Sequence, residues 1–218
     1  MNLQQIIHRR YSTKKYNPNK KIPEDQIEQL IELLQYTPTS INSQPYHFVL
    51  TGTPTGKKRI ATSMADGHFV FNHNKVIHAS HTIVICSKTS IDREYLTKTI
   101  KKAHKDGRID SLERVEQQIN QYMGFIDLHN NVHKDAQSWM ARQCYIALGN
   151  LLLGAAALGI DATPIEGFDS AILDKELGLT AQGYMSLVVI ALGYRADDDI
   201  FAKLPKSRLP KEDLFTFL

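Results

Sequence analysis

The sequence is poor in cysteine, and this limits the classes of protein it can belong to. Only 2 cysteines occur in 218 residues, and neither lies in a CxxC or a Cys/His pattern. The sequence therefore indicates neither a disulfide framework nor a zinc site. We expect Cys86 and Cys144 to be reduced core thiols. The N-terminal residues 1–12 contain no apolar signal segment, so a cytoplasmic location is the default prediction.

Long hydrophobic runs and several common enzyme motifs are also missing. The main apolar stretch, 145–160, is shorter than the roughly 20 residues that a membrane helix needs, so we expect no membrane partner. No GxGxxG, GxxxxGK[ST] or GxSxG motif is present. These absences argue against a Rossmann dinucleotide-binding domain, a P-loop NTPase and an α/β-hydrolase.

The charge is mildly basic, with a formal net charge of +3 and a pI near 8.7. Lys and Arg are interleaved with Asp and Glu, and no known nucleic-acid-binding module is present, so no nucleic-acid partner is expected. Basic residues gather in 9–15 and 203–208, which suits a small anionic ligand as readily as a polyanion. Because no linker or repeat divides the chain, we predict one domain over 1–218.

The 9 histidines offer only weak metal-site patterns. His129 and His133 are four apart, a spacing that can place two ligands on one face of a helix, but no HExxH motif accompanies them. We therefore predict no metal site. The acidic run 197–199 is interpreted as a charged loop.

Periodicity and capping signals predict a mixture of helices and strands. A long apolar helix ending at Gly159 should be buried on nearly every face. The loop predictions include an aromatic segment, Phe69–Asn72. Further helices are predicted over 3–9, 23–35, 56–64, 92–104, from 111 onward and over 169–177, and strands over 47–51, 82–86 and 185–192, with an extra edge strand at 214–218.

Three loops are candidate binding segments. Arg10, Ser12 and Lys14 could grip a phosphate, or form a solvated basic turn. The polar stretch 37–45 could form the rim of a site for a heterocycle, or a plain connection between a helix and a strand. The segment 164–167 places a Pro and a Gly around backbone NH groups that could face a ligand.

Five stretches, taken together, resemble one family. They are RRYSTKKY at 9–16, TPTSINSQPYHF at 37–48, FNHNK at 71–75, ATPIEGFD at 162–169 and LPKSRLP at 204–210. The chain resembles the oxygen-insensitive NAD(P)H nitroreductases of enteric bacteria. This resemblance implies an α+β fold with a central mixed or antiparallel sheet flanked by helices. It also implies FMN and an intertwined homodimer that exchanges its C-terminal strand onto the partner.

The resemblance also assigns roles to particular residues. Ile41, Phe71 and Phe125 match substrate positions, and Glu166, Lys14 and Lys75 match groups beside the reacting part of the flavin. The cofactor-binding set that it implies is Arg10, Tyr11 (through its backbone), Ser12, Lys14, Pro38, Thr39, Ser40, Asn42, Asn72, Lys75, Pro164, Ile165, Glu166, Gly167, Lys206 and Arg208. Within this set, 38–42 is expected to reach the flavin of the other subunit.

The implied activity is two-electron reduction of nitroaromatics or quinones by NADH or NADPH in a ping-pong cycle. Lys14 and Lys75 would stabilise the negative charge of the reduced flavin electrostatically. Tyr11, Ile41 and Tyr46 depart from the relatives, which carry His, a hydroxyl residue and Trp there. Ile41 should make the acceptor site more apolar. The alternatives are a dihydropteridine reductase, a flavin reductase or a non-catalytic flavin-binding protein.

Overall fold

The computed structural model describes residues 2–218. The four strands are β1 (Tyr46–Thr51), β2 (His81–Lys88), β3 (Asp161–Ile165) and β4 (Tyr184–Gly193). The helices are α1 (Leu3–Arg9), α2 (Glu24–Gln35), α3 (Pro54–Ala61), α4 (Val70–His78), α5 (Arg93–Lys105), α6 (Leu112–Asp127), α7 (Ala136–Ala157), α8 (Ser170–Leu177) and α9 (Lys211–Leu214).

The strands form one antiparallel sheet in the order β1-β2-β4-β3, with helices on both faces. Ile83 and Ile190 contribute to a core with α2 and α7, whereas the alternate residues Val84 and Val189 pack with α3, α4 and α8. This division follows from the two-residue side-chain period of a strand. The prediction of an α+β fold with a central antiparallel sheet flanked by helices is confirmed.

A third apolar cluster lies away from the sheet. It joins α5, α6 and the first turns of α7, with Leu96, Ile119 and Trp139 buried at its centre. The helices α5 and α6 lie between β2 and α7 in sequence. They form a helical insertion with a hydrophobic core of its own.

The predicted helix at the centre of the chain is confirmed, but its predicted burial is wrong in part. α7 does pack on α2 and the sheet, and Gly159 follows it with φ of +80°. However, a stripe of Tyr145, Ile146 and Leu153 on α7 is 39%, 42% and 42% exposed. We call these three residues, with Gly149 between them, the α7 stripe.

Two further local predictions need correction. The segment 69–72 was predicted as a loop, but Val70–His78 form α4, which is held by the burial of Asn72 and Val76 and not by local helix propensity. At the C-terminus, Leu214 ends α9 and 215–218 pair with no strand among residues 2–218. Exchange of this segment onto a partner stays a prediction.

Candidate functional site

The first candidate site residues follow α1, where the chain turns from helix to extended backbone at Arg10. Ser12 forms a parallel bridge with Ala162 of β3, which fixes 10–15 beside the edge of the sheet. The buried hydroxyl of Thr163 adds a hydrogen bond of 2.5 Å to the carbonyl of Thr13. The loop is therefore attached to the sheet and is not the freely solvated turn that was the alternative interpretation.

Three cations from opposite ends of the chain lie close together at this loop. They are Arg10, Lys206 and Arg208. The amino group of Lys206 donates to the carbonyl oxygen of Arg10. Partial burial, and then the charges of Arg10 and Arg208, lower the pKa of Lys206. Within residues 2–218, none of the three forms an ion pair with a carboxylate. A cluster of cations that lacks a carboxylate of its own is suited to a phosphate.

A second pair of cations lies beside α4. Burial, and then the charge of Lys14, lower the pKa of Lys75. The Lys75 amino group donates to Asn72 Oδ1 at 2.6 Å and lies 4.8 Å from the centre of the Phe71 ring. Because Asn72 and Lys75 are three apart on a helix, they share one face.

The helix α4 is joined to the segment after β3. Asn72 Nδ2 donates to the carbonyl oxygen of Gly167 at 2.9 Å. A Cβ at Gly167 would lie 2.7 Å from that same nitrogen, so the glycine permits the close approach. Pro164 and Ile165 are paired with β4, which leaves only Glu166 and Gly167 beyond the strand.

We call the residues of these three groups the cationic half of the site. The structure brings together loop 10–15, Asn72, Lys75, Glu166, Gly167, Lys206 and Arg208, which come from four separate stretches of sequence. This arrangement of residues fits FMN, which carries both an anionic phosphate and a planar polar ring system. The three cations that lack a carboxylate partner can bind the anionic phosphate. Lys14 and Lys75 can place positive charge beside the planar ring system, next to the backbone segment 166–167.

Loop 38–42 lies in a different part of the chain. The backbone NH of Ser40 donates to the buried Gln143 side chain of α7 at 2.9 Å. Ile41 and Phe125 both pack against the α5–α6 cluster. We call 38–42, Ile41 included, together with Phe125 the apolar half. No hydrogen bond within residues 2–218 joins 38–42 to the cationic half.

The three predicted substrate residues are thus divided between the halves. Phe71 is 65% exposed on α4 beside Lys75, in the cationic half. Phe125 instead packs edge-on against His129, which lies against Trp139 with 4.8 Å between ring centres. His129 Nδ1 also contacts Asp135 Oδ1 at 2.6 Å. Within the described chain, no three His, Cys, Asp or Glu residues are grouped in a way that could hold a metal ion.

Sequence reasoning missed two residues that contact the cationic half. Asp199 was interpreted as part of a charged loop, but it is buried and accepts a hydrogen bond of 2.8 Å from the Tyr11 hydroxyl. Tyr145 of the α7 stripe donates to Glu166 Oε1. Burial and then this bond raise the pKa of Tyr145 to about 12. A polar hydroxyl in an apolar helix is the only sequence signal that pointed to Tyr145.

The Tyr11 side chain makes contacts besides the backbone contribution that the resemblance implies. Both its ring and its hydroxyl are engaged. The Arg195 guanidinium lies 4.5 Å from the centre of the Tyr11 ring, and Arg195 pairs with the buried Asp161 of β3. The backbone contribution stays a prediction.

Comparison with known proteins decides the family. Residues 7–194 match the model of the nitroreductase family. The chain belongs to this family. It is 44% identical over 216 residues to an oxygen-insensitive NAD(P)H nitroreductase of Salmonella typhimurium, covering 99% of each chain. The predicted family is therefore confirmed.

Other family members are similar over nearly the whole chain. A major NAD(P)H-flavin oxidoreductase of Aliivibrio fischeri is 36% identical, covering 98% of each chain. The structure of an Exiguobacterium sibiricum protein in complex with FMN superposes with a TM-score of 0.83 at 23% identity, covering 100% of this chain and 98% of that one. At that identity the superposition supports the nitroreductase fold alone. Among residues 2–218 no helix combines the length and hydropathy that a membrane crossing requires.

Proposed function

We propose that this nitroreductase-family chain is an FMN-dependent oxidoreductase that uses NAD(P)H to reduce nitroaromatics and quinones. The observation that supports it best is the cationic half, where Arg10, Lys206 and Arg208 meet without a carboxylate partner in the described chain. The names of the relatives from Salmonella typhimurium and Aliivibrio fischeri support the same donor and chemistry.

The chain's own residues would bind and orient the cofactor. Arg10, Lys206 and Arg208 would hold the FMN phosphate by charge-assisted hydrogen bonds, and the Ser12 hydroxyl would add a neutral one. When bound, FMN supplies the redox chemistry, since its ring system takes a hydride from a nicotinamide and gives two electrons to an acceptor. Lys14 and Lys75 would place positive charge beside that ring system.

The segment after β3 has a separate task in this proposal. The Asn72 amide holds the Gly167 carbonyl, and the Tyr145 hydroxyl holds the Glu166 carboxylate. Both contacts fix side-chain or carbonyl groups and leave the backbone NH groups of 166 and 167 free to face a ligand. No side chain needs to act as a nucleophile.

We also propose that the active form is a homodimer. The α7 stripe exposes Tyr145, Ile146 and Leu153, and a Cβ added at Gly149 would meet nothing within 4 Å. The C-terminal segment adds Phe215 and Phe217, which are exposed at 58% and 86%. Large apolar side chains along one helix and one tail are typical of an interface. A two-fold axis along the stripe would bring one protomer's apolar half towards its partner's cationic half.

A cytoplasmic location is part of the proposal. Cys86 and Cys144 are both free and buried, with the Cys144 sulfur 3.8 Å from the Cys86 carbonyl oxygen. Free thiols are usual in a reducing compartment. Cell fractionation tests this, and recovery of the protein outside the cytoplasmic fraction would contradict it.

The decisive experiment is an anaerobic titration of purified protein loaded with FMN. We expect the flavin absorbance to bleach on addition of NADH or NADPH and to return on addition of a quinone or a nitroaromatic. Absence of FMN uptake would refute the cofactor. Uptake without bleaching would support the alternative of a flavin-binding protein without turnover. A panel of quinones, nitroaromatics, pterins and free flavins then ranks the acceptors and tests the flavin reductase and dihydropteridine reductase alternatives.

A further inference from the structure

A buried carboxylate contacts both loop 10–15 and the turn that precedes Lys206. Asp199 is 3% exposed, and each of its oxygen atoms accepts hydrogen bonds from donors of the protein. Oδ2 accepts from the Tyr11 hydroxyl at 2.8 Å and from the backbone NH groups of Lys14 and Lys15 at 2.9 and 3.2 Å. Oδ1 accepts from the Phe201 backbone NH at 3.1 Å.

These contacts join two segments that are far apart in sequence. Oδ2 holds loop 10–15, which carries Arg10 and Lys14. Oδ1 caps the short helical turn Ile200–Lys203, which leads directly to Lys206 and Arg208. Asp199 is therefore one of the links that fix the spacing of the two cationic segments. The others include the contact of Lys206 with the Arg10 carbonyl oxygen and a hydrogen bond of 2.9 Å from the Ala196 backbone NH to the Lys15 carbonyl oxygen.

The Tyr11 ring is also linked to the sheet, through Arg195. Arg195 stacks on the Tyr11 ring and forms an ion pair with Asp161 of β3. The backbone NH of Arg195 also donates to Asp161 at 2.8 Å. The Tyr11 hydroxyl therefore has little freedom to follow Asp199 if that side chain moves.

The balance of forces keeps Asp199 ionised. Burial alone would raise the pKa of Asp199, but the hydrogen bonds from the Lys14 backbone and the Tyr11 hydroxyl outweigh it, and the pKa is lowered. An ionised acceptor makes stronger hydrogen bonds than a neutral one. The carboxylate thus binds donors of the protein itself, namely three backbone NH groups and the Tyr11 hydroxyl.

We infer that Asp199 is a positioning residue that helps to set the distance between the two cationic segments of the phosphate site, with the Tyr11 hydroxyl as one of its donors. The inference rests on the proposed function, because it concerns the site assigned there to the FMN phosphate. It makes a prediction whose sign is unusual. Removing a negative charge near an anion site should strengthen anion binding by Coulomb's law, whereas loss of a positioning residue should weaken it.

The test compares Asp199→Asn with Asp198→Asn. An Asn at 199 must direct its NH₂ group at one of the two sets of donors, so one segment loses its acceptor. Asp198 lies next to it, is exposed and pairs only with the Lys15 amino group within residues 2–218, so its replacement removes the same charge without touching the loop backbone. Binding of FMN and of riboflavin to the apoprotein is measured by quenching of flavin fluorescence.

For Asp199→Asn we expect FMN binding to weaken about tenfold or more, as loss of hydrogen bonds to a charged group predicts, while riboflavin binding is unchanged. Asp198→Asn should bind FMN as wild type or slightly more tightly. At saturating FMN, kcat of Asp199→Asn should approach the wild-type value. If the role of Asp199 were purely structural, binding of both flavins would weaken together and Tm would fall. Saturating FMN would then not restore kcat.

Tyr11→Phe keeps the test decisive if Asp199→Asn does not fold. It removes one donor and leaves the three backbone NH groups on Asp199. We expect FMN binding to weaken about threefold to tenfold, with riboflavin unchanged. The inference is overturned if the ratio of FMN affinity to riboflavin affinity is unchanged in every one of these two variants that folds. Failure of wild-type protein to bind FMN overturns the proposed function instead.

Discussion

The two halves of the candidate site differ in how far one chain completes them. The cationic half is tied together by hydrogen bonds between distant residues, such as Asn72 to Gly167 and Lys206 to Arg10. The apolar half has strained backbone instead. Ile41 and Asn42 have φ of 50° and 51°, and Gln44, just after the apolar half, has φ of 46°. Non-glycine residues seldom adopt such values. One half is pre-organised within a single chain, and the other is held in an unfavourable conformation.

This difference indicates where the missing part of the site should come from. Strained backbone persists only where its surroundings fix it, and it concentrates at binding sites. The Ser40 backbone NH donates to the Gln143 side chain, and the Tyr95 hydroxyl donates to the Gln44 carbonyl oxygen at 2.5 Å. The loop is therefore supported from inside its own chain, and no hydrogen bond within residues 2–218 joins it to the cationic half. A second copy of the chain would explain why the loop is kept in this form.

The largest effect is expected on the association of two chains, and it tests whether a partner completes the apolar half. Ile146→Glu places a charge in the α7 stripe, and a two-fold interface would bury it twice. We expect the dimer to weaken by more than about 3 kcal/mol, which is over 100-fold in the dissociation constant. Sedimentation equilibrium measures this directly.

The matched control is Ile172→Glu on α8. Ile172 is 44% exposed and Ile146 is 42% exposed, so the two changes remove similar surface apolar groups. The control should leave the association state unchanged. A dimer that survives Ile146→Glu, or that dissociates equally in both variants, would contradict the interface along α7.

A smaller effect is expected in the cationic half. Arg208→Ala removes one of three cations at the predicted phosphate position and should weaken FMN binding by about 2 kcal/mol, the value typical of a charge-assisted hydrogen bond. Fluorescence titration of the apoprotein measures it. Lys203→Ala removes an exposed charge from the neighbouring turn and serves as the control. Equal losses in the two variants would indicate a general field effect and would remove Arg208 from the site.

The sequence predicted best those elements whose ends are determined locally. Asp169 accepts from the Ile172 backbone NH at 2.9 Å and Gly178 has φ of +66°, so both ends of α8 follow from the cap residues themselves. The prediction failed at 69–72, where Asn72 and its neighbours are weak helix formers. In the folded chain Asn72 is buried in α4 and donates to Gly167, which lies 95 residues away in sequence and gives no local signal.

The same reasoning explains which site residues escaped prediction. Arg10 and Arg208 could be found because each belongs to a short motif that resembles the family. Asp199 lies outside those motifs, and its partner Tyr11 is 188 residues away. Nothing local distinguishes it from the exposed Asp198 beside it. Only the folded chain shows that one of these carboxylates is buried and the other is not.

A third prediction concerns the close approach within the cationic half. Gly167→Ala would bring a Cβ to 2.7 Å from Asn72 Nδ2 and 3.3 Å from the Phe69 ring. The hydrogen bond between Asn72 and the residue 167 carbonyl should lengthen or break, at a loss of about 1.5 kcal/mol in the free energy of unfolding. Gly124→Ala on α6 is the control, since its Cβ meets nothing within 4 Å and alanine favours a helix. Destabilisation by Gly124→Ala as well would mean that the contact at Gly167 is not the cause.

The smallest effect on stability is expected at Ile41. Ile41→Asn relieves roughly 1–2 kcal/mol of left-handed backbone strain, because asparagine tolerates positive φ better than a β-branched residue. It also loses part of the packing of a half-buried side chain on the α5–α6 cluster, which is worth a similar amount. The free energy of unfolding should therefore change by less than about 1 kcal/mol, as measured in urea. Ile119→Asn, at a fully buried position of the same cluster with helical backbone, offers no strain to relieve and should lose several times as much. If Ile41→Asn is as costly as Ile119→Asn, the positive φ at position 41 carries no strain, and the contrast between the pre-organised and the strained half fails.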